Sequence, residues 1–465
     1  MTATIAHSPT NFKEETLDGF NPRWADKYLF IVSSITFKML TSFANEDGWV
    51  RLNYSIIQRF IGERYSEPVL MTLIRNEVIE IDAHYTKGDH SRAYRLTDKY
   101  RGAKVGPRYF KKLTYHKKFR SWRQKDLNLL LKNPILQSEF LNLTYQKIDV
   151  KKATQYVEQT YEDGSPESNN RLMAIHYYNQ MHKATKKQGV WESSFYFKFV
   201  KGRVYSPATG LPRDLEQFTY VSGHKGDKMV SIDAKNSQLC ITDVFINRDK
   251  QLIENQLIKP NCHIIKRGVK GKGENREFGP RENQPKSYNS TQPYNNTLYD
   301  MTNGLNSLII KGWSSVVFAG KGYEALMYLS NYCGKRYGHT PEERDYFKKN
   351  VFFSQLFYNK YRESLTPLEK VFKAHFPDDF DKLRSAKLQY GNRGLAVKIH
   401  KLEGKLFHTI IADHLRRYHK EVKYSIKHDS IKIQAKYVDR ILPELNNLLQ
   451  SFLGNNRIKF RVDDV

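Results

Sequence analysis

Two stretches of sequence decide the fold: Val230-Ser-Ile-Asp-Ala-Lys-Asn-Ser-Gln238 and Val422-Lys-Tyr-Ser-Ile-Lys-His-Asp-Ser-Ile-Lys-Ile-Gln434. The first is an apolar strand that ends on Asp233. The second alternates apolar and polar residues around His-Asp-Ser, which predicts a β-hairpin with Asp429 at its turn. An isolated strand-end Asp is usually a turn former. Two such strand-end carboxylates are what a two-metal phosphoryl-transfer site needs, because Mg²⁺ prefers hard oxygen ligands. We therefore expect Asp233 and Asp429 to share two Mg²⁺ ions.

The charge of the chain indicates a polyanionic partner. Seventy-six Lys and Arg residues against 49 Asp and Glu residues give a net charge of +27. Such an excess attracts nucleic acids, and the 30 Tyr and 26 Phe residues offer rings for bases to stack on. The alternative is a merely basic, soluble protein or a ribosome-associated one. No apolar run approaches the roughly 20 residues of a membrane span, and three scattered cysteines favour a reducing, cytoplasmic setting.

The first domain, residues 1–105, has the element order of a winged helix. Helical spacing of apolar residues begins at Tyr28 and recurs in two shorter segments before residue 77. Two strands near residues 78–82 and 93–96 then flank a basic loop. This fold places a helix in a DNA groove and would bring Lys87 or Arg92 into contact with a phosphate of the DNA backbone. Modules of this type also serve as protein-docking domains, so both interpretations stay open.

The middle of the chain is less regular. Residues 106–194 are predicted to be a basic linker followed by a helical, thumb-like region, with helices near 168–190 as the thumb. Residues 195–465 are the predicted catalytic core. Within that core, residues 259–303 are rich in Gly, Asn, Lys and Pro, which is typical of a flexible insertion.

Three more segments of the core carry candidate chemistry. Gly202-Arg-Val-Tyr205 precedes the first acid, and His400-Lys-Leu-Glu-Gly404 is predicted to open a helix before the second. Between them, a helix places Arg344, Lys348 and Phe352 at i, i+4 and i+8, on one face. Two cations and a ring on one stripe would grip a triphosphate and stack on a base. The alternative is an amphipathic surface helix with Phe352 in the core.

This ordered set of motifs resembles the single-subunit RNA polymerases of phages and mitochondria, which are relatives of the family A DNA polymerases. The resemblance covers residues 195–465. It implies an α+β fold, in which a right-hand polymerase core with an antiparallel palm follows the helical winged-helix-like domain. It also implies a DNA-directed RNA polymerase that uses two Mg²⁺ ions, a DNA template and nucleoside triphosphates to extend nascent RNA or DNA.

The resemblance also assigns roles to residues of this chain. Asp233 and Asp429 would hold the metals, His428 would support the primer end, and Lys348 would act in catalysis. The other implied contacts are with the incoming nucleotide (Arg344, Lys348, Lys349, Tyr358, Arg203, Ser237, Gln238, His400) and with nucleic acid (Gly202, Arg203, Tyr205).

Departures from the family pattern leave some assignments open. The family has Tyr-Gly eight and nine residues beyond its Lys, whereas Tyr358 lies ten beyond Lys348 and nine beyond Lys349. The spacing therefore does not show which of the two lysines is the functional one. Cys240 lies where DNA polymerases exclude ribonucleotides with a Glu, and no Glu is near in sequence, which favours RNA synthesis. A family A-like DNA polymerase or primase of a phage or plasmid is the alternative, and a non-enzymatic winged-helix replication initiator is the second. The sequence leaves open whether an accessory subunit takes part.

Overall fold

The structure is a computed structural model, and it divides the chain into two compact units. The first contains Met1–Asp233, Phe407–Pro443 and Arg461–Val465, and the second contains Ala234–Leu406 and Glu444–Phe460. Each unit combines distant segments of the chain, unlike the sequential domains predicted from composition. The residues described are 5–41, 48–82, 92–112, 114–115, 117–118, 127–187, 190–192, 195–234, 237–247, 305–332, 343, 346–357 and 363–464.

The N-terminal module in the first unit combines three helices with a three-stranded antiparallel sheet. Asn53 caps the second helix by accepting the Ser55 N–H, and Gly62, with φ +91°, separates that helix from the third. The predicted order of helices and strands is present, with one additional strand, Val50–Arg51. The elements in chain order are Ala25–Leu40, Val50–Arg51, Tyr54–Ile61, Glu63–Arg75, Ile79–Asp82 and Ala93–Leu96. Ala93–Leu96 is the central strand of the sheet, between the other two.

This module extends beyond the predicted boundary at residue 105. Strand Val105–Tyr109 pairs antiparallel with Ile5–Pro9, so part of the predicted linker is sheet. Arg108 in this strand forms an ion pair with the buried Glu14, at 2.8 Å. Composition could not reveal this, because the partner strand begins about a hundred residues earlier.

The predicted thumb-like region is only partly helical. It contains the helices Pro134–Tyr145, Val150–Thr160 and Pro166–Tyr178. Residues Thr185–Lys187 and Val190–Glu192 instead form an antiparallel pair of strands, so the prediction of helix up to residue 190 was wrong at its end. The apolar side chains of the three helices pack in one core with the strand around Val204 and the turn near Leu215.

A four-stranded sheet, whose first three strands pair antiparallel, carries the two segments that contain the predicted acids. Its strands, in spatial order, are Ser425–Lys427, Ser430–Gln434, Met229–Ala234 and Phe460–Asp464. Alternation decides its two faces: Val230, Ile232 and Ile431 are buried, whereas Ser231 and Asp233 are partly exposed.

The second unit is mainly helical. The helix predicted to open at His400 begins much earlier, at Pro377, and runs to Lys405 with a break at Gly391, where φ is +67°. It continues through a π-helical turn, Leu406–Ile411, into Ala412–Tyr418 of the first unit. Other helices of the second unit are Ser237–Asn247, Trp313–Phe318, Gly322–Tyr332, Phe347–Phe357 and Pro367–His375. No described helix has both the length and the apolar character to cross a bilayer.

Candidate active site

The two predicted acids lie at the same end of the four-stranded sheet. Asp233 is paired directly with Ser430 in antiparallel register, and Asp429 immediately precedes Ser430. Paired Cα atoms in antiparallel strands are about 4.5–5.5 Å apart, so the two acids have Cα atoms on the order of 6 Å apart. Both side chains are partly exposed. Residues almost two hundred positions apart in the chain therefore lie side by side at this end of the sheet.

A two-residue loop, His428-Asp429, presents the second acid. It joins Ser425–Lys427 to Ser430–Gln434, with Lys427 paired to Ser430. His428 has φ +57°, a left-handed conformation that favours glycine and costs other residues about 1–3 kcal/mol. Positive φ at a non-glycine residue is uncommon, and Glu77 and Lys201 are the other such residues in the described part of the chain.

The His428 imidazole is held neutral at ordinary pH. Burial, followed by the charge of the Arg203 guanidinium, lowers its pKa from 6.5 to about 4, against the opposing effect of Asp429. Its Nδ1 atom is buried and has no hydrogen-bond partner within the described part of the chain. The imidazole therefore offers a hydrogen-bonding group rather than a positive charge beside the acids.

A second hairpin brings the Gly-Arg-Val-Tyr segment to this loop. Strands Lys198–Val200 and Arg203–Tyr205 pair around Lys201 and Gly202, which have φ values of +53° and +88°. Two successive positive φ values define the favoured two-residue hairpin turn. The Tyr205 ring lies edge-on to His428, with centroids 6.4 Å apart, and the Arg203 side chain is largely buried.

A buried His–Glu pair anchors this second hairpin. The Val204 N–H donates to His408 Nε2 at 3.4 Å, so the imidazole proton is on Nδ1. Nδ1 lies 2.9 Å from the Glu139 carboxylate, and both side chains are almost fully buried. The pair left no signal in the sequence, because its members are 269 positions apart.

A partly buried acid anchors the hairpin of His428. Glu216 accepts a hydrogen bond from Lys427 Nζ at 2.6 Å and lies 3.7 Å from Lys432 Nζ. Burial lowers the pKa of Lys432 to about 7, although the Glu216 carboxylate acts in the opposite direction. The only sequence signal was the presence of two lysines on strands with otherwise apolar neighbours.

Arg461 adds a cation near the acids. It lies on strand Phe460–Asp464, which neighbours the strand of Asp233. The Asp463 carboxylate, and to a smaller degree that of Asp233, raises the pKa of the Arg461 guanidinium above its usual value. No motif in the sequence pointed to this residue.

The predicted nucleotide-binding residues Ser237, Gln238 and His400 belong to the second unit. Ser237 is buried and donates to the Glu403 carboxylate at 3.4 Å, and Gln238 and His400 are partly buried. The expectation that no Glu is near this segment therefore holds only along the sequence. Cys240, taken as the ribonucleotide-tolerant position, is fully buried 3.7 Å from the Val317 carbonyl.

The structure describes only part of the helix predicted to bind the triphosphate around Lys348. Residues Phe347–Phe357 form a π-helix, whose i→i+5 bonding turns the chain less per residue than an α-helix does. Lys348 is exposed and lies over the Tyr323 ring at 5.2 Å, whereas Phe352 is fully buried against the same ring. Phe352 is thus a core residue, and the interpretation as a base-stacking ring was wrong.

Several predicted residues lie outside the described part of the chain. The described wing residue, Arg92, has its guanidinium 6.0 Å from the centroid of the Tyr54 ring. The residues or side chains that cannot be located are Lys87, Arg344, Lys349 and Tyr358, together with the predicted insertion 259–303.

Comparison with known proteins gives no family for the chain. No protein-family model matches it, and no curated protein matches it.

Proposed function

We propose that the protein is a template-directed nucleotidyltransferase, a DNA-directed RNA polymerase of the single-subunit type. The observation that carries the proposal is the antiparallel register of Asp233 with Ser430, which brings Asp233 beside Asp429. Paired, partly exposed carboxylates at the end of a sheet fit the hard-oxygen preference of Mg²⁺. Two bound Mg²⁺ ions would supply stabilisation of the attacking and leaving oxygens of a phosphoryl transfer.

The reaction proposed is attack of a 3′-hydroxyl on the α-phosphate of a nucleoside triphosphate, with pyrophosphate leaving. Asp233 and Asp429 would hold the ions, and neutral His428 would hydrogen-bond at the primer end without adding charge. Arg461 would be a cation for the triphosphate, where positive charge stabilises the leaving group. Arg203 and Tyr205 would support His428 and the template.

Two features, Cys240 and the hydrogen bond from Ser237 to Glu403, bear on the choice between RNA and DNA as the product. Cys240 in place of an acid favours ribonucleotides. The hydrogen bond from Ser237 to Glu403 supports the alternative of a DNA polymerase or primase, because a carboxylate is then available at this segment after all. Both products come from the same carboxylate pair.

The proposal is tested by offering purified protein single- and double-stranded DNA templates, with and without primer. Each reaction contains Mg²⁺ and either ribo- or deoxyribonucleotides. Wild-type protein is expected to incorporate ribonucleotides. Asp233→Asn and Asp429→Asn should each reduce incorporation by about a thousandfold or more, since several kcal/mol of charge stabilisation are removed.

Asp381→Asn, at an exposed acid on helix Pro377–Lys405, is the matched control and should retain activity. Deoxyribonucleotide incorporation alone would replace the RNA assignment with the DNA alternative. No incorporation on any template, with DNA binding that persists in EDTA, would favour the replication-initiator function for the winged-helix-like module.

A further inference from the structure

Three lysines from distant parts of the chain converge beside the end of helix Tyr54–Ile61; we name Lys27, Lys112 and Lys118 the basic patch. Lys27 Nζ donates to the Ile61 carbonyl at 2.5 Å. Lys118 Nζ donates to the Phe60 carbonyl at 2.9 Å. The last carbonyls of a helix carry partial negative charge, so they attract ammonium groups and fix their positions.

The ammonium group of Lys27 is close enough to those of Lys112 and Lys118 to be repelled by both. Burial first, and then the charges of Lys118 and Lys112, lower the pKa of Lys27. Lys112 Nζ also donates to the carbonyl of Arg23, two residues before the first helix of the module. Like charges gathered at one place raise the free energy of the protein alone, and an anion relieves this cost.

No acid in the described ranges forms an ion pair with any of the three lysines of the basic patch. The Asp26 carboxylate, next to Lys27 in sequence, is buried and accepts the backbone N–H groups of Lys111 and Lys112, at 2.9 and 2.7 Å. An ammonium group has three donors, so the one or two backbone carbonyls that each lysine contacts leave at least one donor for a ligand.

The wing side of the module has a different charge balance. Arg92 lies over Tyr54, and the Tyr54 hydroxyl donates to Glu67 at 3.3 Å. Glu63 and Glu67 are both exposed on the third helix, Glu63–Arg75. The basic patch is therefore the better place for a polyanion on this module.

We propose that the basic patch binds the phosphate backbone of duplex DNA. The aromatic ring beside it does not offer a stacking face, because Lys27 and Arg64 lie 4.2 and 5.2 Å from the centroid of Tyr65. Contact through charge alone reads no base, so binding is independent of sequence and falls steeply with salt.

The test measures the affinity of full-length protein for an arbitrary DNA duplex over a range of salt concentrations, in EDTA and without nucleotides. The variant Lys27→Gln/Lys112→Gln/Lys118→Gln should bind at least about tenfold more weakly at roughly 0.1 M salt. Its slope of log affinity against log salt should be smaller by about 3, because three phosphates are no longer neutralised by the protein.

The matched control is Lys13→Gln/Lys99→Gln/Lys151→Gln, which removes three exposed lysines of the same unit and the same total charge. Its slope should change little. A charge-preserving triple Lys→Arg variant of the basic patch should keep most of the affinity, which separates an effect of charge from misfolding.

Equal slopes for the basic-patch Gln variant and wild type, or an equal reduction of affinity in the control, would overturn the proposal. Single-stranded DNA bound more tightly than duplex, with the same dependence on the basic patch, would overturn the choice of duplex. None of these measurements involves catalysis, so their outcome does not depend on whether the polymerase proposal is correct.

Discussion

The two hairpins at the candidate active site have the same length of loop but different residues in it. The Lys198–Tyr205 hairpin turns on Lys201-Gly202, where glycine takes the larger positive φ. The Ser425–Gln434 hairpin turns on His428-Asp429, without glycine, although His428 also has positive φ. The first loop has Gly202 where its backbone favours glycine, whereas the second loop has the imidazole and the carboxylate of the candidate site. The difference indicates which turn serves as support and which as the site.

The two hairpins are also anchored differently. The supporting hairpin is held by the hydrogen bond from Val204 to His408 and by the buried pair of His408 with Glu139. The hairpin of His428 is held by Glu216, which binds both Lys427 and Lys432. Both anchors join segments more than two hundred residues apart, so each ties a segment of the candidate site to the body of the first unit.

The largest expected effect on stability comes from removing one member of the buried His408–Glu139 pair. His408→Phe leaves the Glu139 carboxylate buried without its partner, which should lower the free energy of unfolding by about 3–5 kcal/mol. Urea denaturation measures this change. The double variant Glu139→Leu/His408→Phe should recover most of the stability, because no buried charge remains. A single variant as stable as wild type would mean that the pair does not support the Lys198–Tyr205 hairpin.

A smaller effect is the pH dependence contributed by the hairpin of His428. The pKa of His428 is about 4 in the folded protein and 6.5 in the reference state. Between these values the unfolded chain binds a proton that the folded chain does not, so stability falls as pH falls. His428→Asn removes the titration while tolerating positive φ.

We therefore expect the stability of wild type relative to His428→Asn to decrease, as pH is lowered from 6.5 towards 4, by at most about 1.4 kcal/mol per pH unit. Denaturation at a series of pH values checks this, with His375→Asn, at an exposed histidine, as control. Parallel pH profiles for wild type and His428→Asn would contradict the burial of this imidazole.

The smallest effect concerns the supporting turn. Gly202→Ala places a Cβ at φ +88° and should destabilise the protein by about 1–2 kcal/mol. Gly226→Ala is the control, because its added Cβ meets no atom within 4 Å and no positive φ is required. Thermal unfolding compares the two, and equal effects would mean that the supporting turn does not depend on glycine.

The strands that carry the two acids could be predicted from the sequence, whereas the contacts between distant segments could not. Alternation of apolar residues around Asp233 and Asp429 predicts the strands, because a half-exposed sheet imposes that period directly. The helix spacing around Lys348 indicates which side chains share a face, but it could not show that Phe352 packs in the core, because burial depends on distant segments. Glu139 left no signal, and the contacts of Glu216 and Glu403 could not be predicted, because they form only when distant segments meet.

The central claim is that Asp233 and Asp429 hold a shared metal site. It is tested most directly by replacing Mg²⁺ with Fe²⁺ and mapping backbone cleavage by locally generated hydroxyl radicals. We predict cuts near both residue 233 and residue 429 in wild type, and the disappearance of both cuts together in Asp233→Asn and in Asp429→Asn. Cuts at one segment only, or cuts that survive either substitution, would contradict the claim.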